Sequence, residues 1–296
     1  MKKTSRALDS KPGLFGTILG AFLILYTIIL VFMFVWALIN SVKTAANFYI
    51  DPVGIPQEFR FQNFLDAFQA IRIRAWIGGV EYYIYLPEMF LNSLLYAVGC
   101  AFFATLAPCL VAYATARFNF KFNSVIYVIV LFAMITPIVG NLPSQVQMAK
   151  NLGFYDSMPG MYFMSFTFLG TYYLIFYATF KGLSKEYADA AAVDGAGHFT
   201  VMTRIMFPLV KNTFFAIFLL LFITYWNDYQ TPLLFMQSRP TAAMGLQFFR
   251  ISAEPMFRVI PIQVAGSILL LVPILILYTI FRNKLMGNLT VGGIKG

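Results

Sequence analysis

Long apolar stretches constrain this chain more than any other feature of its sequence. A helix that crosses the hydrocarbon part of a bilayer needs about 20 mostly apolar residues, and six stretches approach or exceed that length. They cover residues 14–39, 91–116, 125–146, 161–180, 212–226 and 262–281. Because 60% of the residues are hydrophobic and only 11% are charged, we expect an all-α membrane protein with six transmembrane helices in a single domain, residues 1–296.

The positions of lysine and arginine predict which ends of these helices lie inside the cell. With the N-terminus inside, 13 of the 21 Lys and Arg residues fall in inner segments and 8 fall in outer ones. Since inner loops are enriched in these residues, both termini are expected inside. The first stretch is too long for a cleaved signal peptide. Residues 40–90 then form a large outer cap, and residues 181–211 form an inner loop.

Motifs for several kinds of chemistry are missing from the sequence. No Gly-Lys dipeptide occurs, which excludes a Walker A phosphate loop, and His198 has no metal-ligand partner in sequence. No Asp, Glu, Lys, Arg or His lies within the six apolar cores, although ion-coupled carriers usually contain such a residue. The sequence therefore predicts no catalytic residue, no metal site and no directly bound cofactor. If transport is uphill, another protein must supply the energy, and it must dock on the inner face.

The inner loop contains a charged, alanine-rich segment, EYADAAAVDGAGHFTVMTRIMFP, over residues 186–208. Its sequence predicts a short helix over residues 185–193, with Ser184 as the N-cap and Gly195 as the glycine that ends it. A second helix follows, and Pro208 suits the first turn of the helix after that. Small alanine side chains allow another surface to approach the backbone, so we interpret the segment as a docking surface. The alternative is a connector that rests on lipid headgroups.

This segment resembles the EAA loop in the permease subunits of bacterial ABC importers. In those loops Glu-Ala-Ala is followed after three residues by Gly, and after nine more by Ile, one residue and Leu-Pro. Here the matching positions are Asp189-Ala190-Ala191, Gly195 and Ile205 to Pro208. Asp replaces Glu, which keeps the charge, and Phe207 replaces Leu, which keeps the apolar character.

Three further segments extend the resemblance to the smaller permease of maltose-type importers, which take up carbohydrates. They are NSLLYAV in the second stretch, YWNDYQTPLLF after the fifth and LTVGGIKG at the C-terminus. The resemblance implies the type I importer permease fold, in the bacterial inner membrane. It also implies a second homologous permease, an ABC ATPase dimer inside, and an outer solute-binding protein. That protein would deliver a sugar or oligosaccharide to the cap and to residues 235–261.

The resemblance also implies roles for particular residues. The inner loop is expected to be a coupling helix that docks on the ATPase through Glu186, Asp189, Ala190, Ala191, Asp194, Gly195, Arg204 and Pro208. Residues that suit sugar rings and hydroxyl groups are candidates for the solute pathway: Tyr172, Tyr173, Tyr225, Trp226, Asn227 and Asp228. The aromatic residues among them are equally typical of membrane-interface belts.

The sequence leaves the solute and the transport class open. Several outer arginines suit an acidic oligosaccharide: Arg72, Arg74, Arg239, Arg250 and Arg258. The outer segments have no net charge, however, so a neutral solute fits as well. The alternatives are an ion-coupled secondary carrier, an ABC permease for a solute other than a sugar, and a membrane-embedded assembly subunit.

Overall fold

The computed structural model describes residues 13–77, 79–136, 139–251 and 258–289, which are mainly helical. The first elements are α1 (Leu14–Ser41), α2 (Ala45–Ile50), α3 (Gln62–Ala70), β1 (Arg72–Ile77), β2 (Val80–Tyr85) and α4 (Leu86–Arg117). Next come α5 (Asn123–Ile135), α6 (Leu142–Asn151), α7 (Met158–Ser165), α8 (Thr171–Gly182), α9 (Glu186–Val193) and α10 (His198–Thr200). A π-helical turn (Val201–Met206) leads into α11 (Phe207–Asn227), and α12 (Gln230–Phe235), α13 (Ala242–Ile251) and α14 (Ile260–Leu289) follow.

Four helices of the described chain are long and apolar enough to cross a membrane: Leu14–Ser41, Leu86–Arg117, His198–Asn227 and Ile260–Ile280. They contain the first, second, fifth and sixth of the predicted spans. The helix that contains the second predicted span begins at Leu86 instead of residue 91, and Pro87 lies in its first turn. There its missing N–H leaves no helical hydrogen bond unmade.

The other two predicted spans are not continuous helices. In the third, α5 ends at Ile135, just before Thr136 and Pro137, because a residue that precedes proline is disfavoured in a helix. Pro137 itself lies outside the described residues. In the fourth, α7 and α8 are separated by residues 166–170, and Gly170 has a φ of +133°, which suits glycine. The six-span count therefore stays a prediction.

A β-hairpin in the predicted outer cap shows that the all-α class was wrong for this segment. Strands β1 and β2 are antiparallel, with Arg72 opposite Tyr85. Ile73, Ala75 and Ile84 are buried on one face. The alternation of apolar and polar residues in β1 is typical of a half-buried strand. A search for stretches of about 20 residues misses such strands, which are only about 5–6 residues long.

The chain forms two compact units, and the first comprises the residues up to Phe68 with a segment that ends at Leu269. In this unit Lys43 is fully buried, and its Nζ donates a hydrogen bond of 2.7 Å to the Asp51 carbonyl. The Asn63 amide donates to the Ser41 carbonyl at 2.9 Å and to the Lys43 carbonyl at 2.8 Å. These bonds hold α3 against the end of α1.

The second unit, Gln69–Ile251 with the chain from Leu270, is built around α4. Helices α7, α8 and α11 all pack along α4. Small buried residues on α4, such as Ala97 and Ala101, allow these helices to approach closely. Gly99 faces the ring of Tyr162 so closely that a Cβ atom there would overlap it. A larger residue at position 99 would therefore separate α4 from α7.

Replacing Asn63 with Leu should destabilise the α2–α3 region by about 1–3 kcal/mol, because two buried carbonyls lose their donor. Limited proteolysis of the purified protein in detergent, read by mass spectrometry, should show faster cleavage within residues 44–70. Gln62→Ala, at an exposed neighbouring position of α3, is the matched control. Equal cleavage rates for the two variants would contradict this account of the Asn63 hydrogen bonds.

Candidate functional site

The charged segment forms the short helix α9, which ends in a glycine turn. Gly195 has a φ of +80°, in the left-handed region that glycine adopts without strain. Its N–H donates to the Ala192 carbonyl at 3.1 Å, and the Ala196 N–H donates to the Ala191 carbonyl at 2.9 Å. This pair of bonds is a Schellman motif, which satisfies the last carbonyl groups of a helix. The predicted short helix and its glycine stop are confirmed.

The start of α9 differs slightly from the prediction. Ser184 was predicted as the N-cap, but that position is occupied by Lys185. The Ser184 hydroxyl instead accepts a hydrogen bond of 3.2 Å from the Glu186 N–H. Because the acidic residues Glu186 and Asp189 lie in the first turn, they interact favourably with the positive end of the helix dipole.

Most of the predicted docking residues point away from the protein. Ala191 is buried in the core that α4, α8 and α11 share, with 8% of its surface exposed. The other seven are exposed: Glu186, Asp189, Ala190, Asp194, Gly195, Arg204 and Pro208. The segment therefore presents an open surface of charged and small residues, while the buried Ala191 packs against the core.

Three exposed apolar residues on this surface were not among the predicted docking residues. Tyr187, Val193 and Phe199 are 52%, 88% and 74% exposed. These exposed apolar side chains are available for contact with a partner. Their signal in the sequence was weak, because single apolar residues within a polar loop are common.

A π-helical turn joins α10 to α11 immediately before Pro208. The Phe207 N–H donates to the Met202 carbonyl, five residues earlier. Proline has no N–H and its ring crowds the carbonyl four residues earlier, so the wider turn accommodates Pro208 without ending the helix. The sequence predicted a separate helix that begins near Pro208. The structure instead has one continuous helix over His198–Asn227.

A groove of about 300 Å³ lies between α9 and the Arg117 end of α4. Its charged walls include Arg117, Lys185 and Asp189, and small alanines form part of its floor. The His198 ring, also in the wall, contacts the Phe118 ring edge-on at 5.4 Å. Within the described residues no three or more His, Cys, Asp or Glu side chains are grouped as a metal site would need. The groove suits a polar side chain.

The solute-pathway candidates at the end of α11 contact α4. The Tyr96 hydroxyl donates to one Asp228 carboxylate oxygen at 3.1 Å, and the Thr231 N–H donates to the other at 3.0 Å. The Tyr225 ring meets the Tyr96 ring edge-on at 5.7 Å. Asn227 is exposed and donates to the backbone of its own helix. The Asp228 carboxylate thus holds α11, α12 and α4 together.

Two other pathway candidates are buried. Trp226 is 3% exposed, and its Nε1–H donates to the Leu270 carbonyl at 3.2 Å. The Tyr173 hydroxyl forms a hydrogen bond of 2.9 Å with the Thr115 hydroxyl, near the Arg117 end of α4. Tyr172, beside it on α8, is partly buried. Of the six candidates, Tyr225 and Asp228 thus share one cluster of contacts with Tyr96. Trp226, Asn227 and Tyr173 form separate hydrogen bonds elsewhere.

The comparison with known proteins identifies the family. Residues 104–285 match the family described as binding-protein-dependent transport system inner membrane component. The chain belongs to this family. It is therefore a permease subunit of an ABC importer and a multi-pass protein of the cytoplasmic membrane. Membership of the family implies an ATPase and a solute-binding protein as partners. The matched region includes α9 and the π-helical turn. The predicted membership of this class is confirmed, and an ion-coupled secondary carrier is excluded.

Several family members resemble the chain over most of its length. The diacetylchitobiose uptake system permease protein NgcG of Streptomyces coelicolor is 25% identical over 98% of this chain and 92% of its own. The trehalose/maltose transport system permease protein MalG of Thermococcus litoralis is 26% identical over 94% and 96%. A chain from the crystal structure of a bacterial ABC transporter involved in the import of the acidic polysaccharide alginate shares the fold. It has a TM-score of 0.72 and 18% identity over 96% of this chain and 99% of its own.

Because Trp226 is buried and hydrogen-bonded, its replacement should destabilise the permease. Trp226→Phe should cost about 0.5–1.5 kcal/mol through the lost hydrogen bond, and Trp226→Ala should cost about 3–5 kcal/mol through the cavity. Thermal unfolding of the purified protein in detergent measures both. Asn227→Ala, at an exposed neighbouring position, is the control. If Trp226→Ala and Asn227→Ala unfold at the same temperature, Trp226 is not a packing residue.

Proposed function

We propose that this chain forms half of a translocation pore for a sugar or oligosaccharide, and that residues 181–211 couple the pore to an ATPase. The observation that carries the proposal is the geometry of helix α9. The helix ends in a defined turn at Gly195, and it presents exposed charged residues beside the exposed Val193 and Phe199. Such a rigid, solvent-facing helix suits a cleft on a partner. A flexible loop would transmit the movement of that partner poorly.

The rest of the assembly follows from the family and from the charge distribution. We infer six spans with both termini inside, which the excess of Lys and Arg in the inner segments supports. The side chains of α1 are exposed along most of its length, which suits lipid and the second, homologous permease. ATP and magnesium would bind on the ATPase dimer. The solute-binding protein would dock on residues 40–90 and 235–261.

The relatives support a carbohydrate as the solute. Their names specify diacetylchitobiose, arabinooligosaccharides and trehalose or maltose. All three names specify uncharged sugars, and their permeases resemble this chain over nearly its whole length. We therefore propose a sugar or oligosaccharide over a solute of another class.

An acidic oligosaccharide is the second candidate, and a groove beside the hairpin favours it. This groove of about 430 Å³ is lined by Arg72, Arg74 and Asp156 among others. The Tyr83 hydroxyl accepts a hydrogen bond from Arg74, and the Glu81 carboxylate lies 2.7 Å from its guanidinium. Both partners raise the pKa of Arg74. The guanidinium is thus held in place, although the nearby carboxylates offset its charge.

Substituting Gly195 tests the coupling role of α9. A residue with a Cβ at this φ costs roughly 1–2 kcal/mol, so Gly195→Val should disrupt the turn, and ATP-driven uptake should fall about tenfold. Insertion into the membrane should be unchanged, since Gly195 lies outside the apolar helices. Uptake in proteoliposomes that contain the complete importer, with immunodetection of the inserted chain, gives both measurements.

Two matched variants distinguish the effect of disrupting the Gly195 turn from the effect of adding a larger side chain. Gly195→Asn should retain most of the uptake, because Asn tolerates left-handed backbone. Gly182→Val places the same side chain at the last residue of α8, an open position with ordinary φ that lies before α9 and outside its turn. It should leave uptake near that of the unsubstituted importer. Normal uptake by Gly195→Val would contradict the proposed coupling role of α9.

Charge reversal at the hairpin tests the acidic-solute candidate. If an acidic oligosaccharide is the solute, Arg72→Glu and Arg74→Glu should each raise the half-saturating solute concentration, by about tenfold for a lost charge-assisted contact. The effect should weaken at high salt. Uptake of a neutral sugar that is insensitive both to salt and to these reversals would exclude the acidic candidate.

A further inference from the structure

The Arg117 end of α4 contacts the helices on both sides of the proposed coupling loop, residues 181–211. The Tyr113 ring packs against the Phe180 ring of α8 at 5.4 Å and against the Phe207 ring of α11 at 6.1 Å. The Phe118 ring meets the His198 ring of α10 at 5.4 Å. The segments immediately before and after α9 therefore both contact the Arg117 end of α4.

Arg117 makes the directional contact at this junction. Its Nη2 donates a hydrogen bond of 3.0 Å to the Leu183 carbonyl. Leu183 is the C-cap of α8, where carbonyl groups lack helical partners and the helix dipole is negative. Arg117 thus caps α8 at the point where the chain turns into α9. Its Nε is buried and has no hydrogen-bond partner among the described residues.

A shared groove relates Arg117 to α9 itself. Arg117 and Asp189 carry opposite charges and both line the groove between α4 and α9. Asp189 occupies the acidic position of the EAA-like loop. The half-buried guanidinium therefore bonds to the C-cap of α8, three residues before α9, and faces the same groove as a charged residue on α9.

We propose that Arg117 is a positioning residue that transmits displacement of the coupling helix to α4. The proposal rests on the function proposed above for residues 181–211. The ring contacts of Tyr113 and Phe118 allow the packed rings to slide past each other. A hydrogen bond from a charged donor to a carbonyl instead restricts both the distance and the direction between the two groups. Because α4 packs along α7, α8 and α11, a displacement that reaches its Arg117 end is passed to three other helices.

The ratio of solute transported to ATP hydrolysed in the complete importer tests this proposal. Arg117→Met removes the charge and the donors but keeps an unbranched side chain. We expect this ratio to fall about tenfold, while the ATPase still co-purifies and is still stimulated by the solute-binding protein. Arg117→Lys, which keeps the charge and a donor, should recover much of the ratio. Lys121→Gln removes an exposed positive charge nearby and should leave it unchanged.

Each other result counts against the proposal. An unchanged ratio in Arg117→Met overturns it, and so does loss of the ATPase from the purified complex, which would assign Arg117 to docking. If Arg117→Met does not accumulate in the membrane, Arg117→Gln is measured in its place. Failure of both to accumulate assigns Arg117 to folding and overturns the proposal. If the unsubstituted chain co-purifies with no ATPase, the proposed function fails independently of Arg117.

Discussion

Within a bilayer a chain must satisfy its own backbone N–H and C=O groups, because the hydrocarbon offers no hydrogen-bond partners. Helix α4 meets this requirement over its 32 residues except at Pro108, which has no N–H to donate. It is the helix against which α7, α8 and α11 pack. Association of helices in lipid depends on close packing more than on hydrophobic burial. Gly99 and the buried alanines of α4 provide that closeness, so the arrangement of the second unit depends on this one helix.

Two departures from regular helix geometry lie in the proposed coupling loop, residues 181–211. Gly195 ends α9 with a Schellman motif, and the π-helical turn over residues 201–206 accommodates Pro208. Each of them satisfies backbone groups that would otherwise be left without partners. The result is a short helix held at both ends, with its surface open to a partner. Such a segment suits the coupling role proposed for it.

Features that depend on a few neighbouring residues could be predicted from the sequence. The helix over residues 185–193 and its stop at Gly195 follow from local helix-ending preferences, and both were predicted closely. The hairpin was missed because a strand of six residues is too short to stand out beside 20-residue apolar stretches. The break between α7 and α8 was missed because residues 166–170 are as apolar as the helices around them.

The sequence by itself determined the membrane class, the four long apolar helices and the spacing of the EAA-like loop, because length, hydropathy and residue spacing are properties of local sequence. Only the tertiary structure decided which side chains are buried, because burial depends on the helices that happen to pack nearby. Trp226 and Tyr173 suit a solute pathway by residue type, yet their polar atoms are bonded to Leu270 and Thr115. The hydrogen bond from Arg117 to Leu183 joins residues far apart in sequence, and no local pattern marks it.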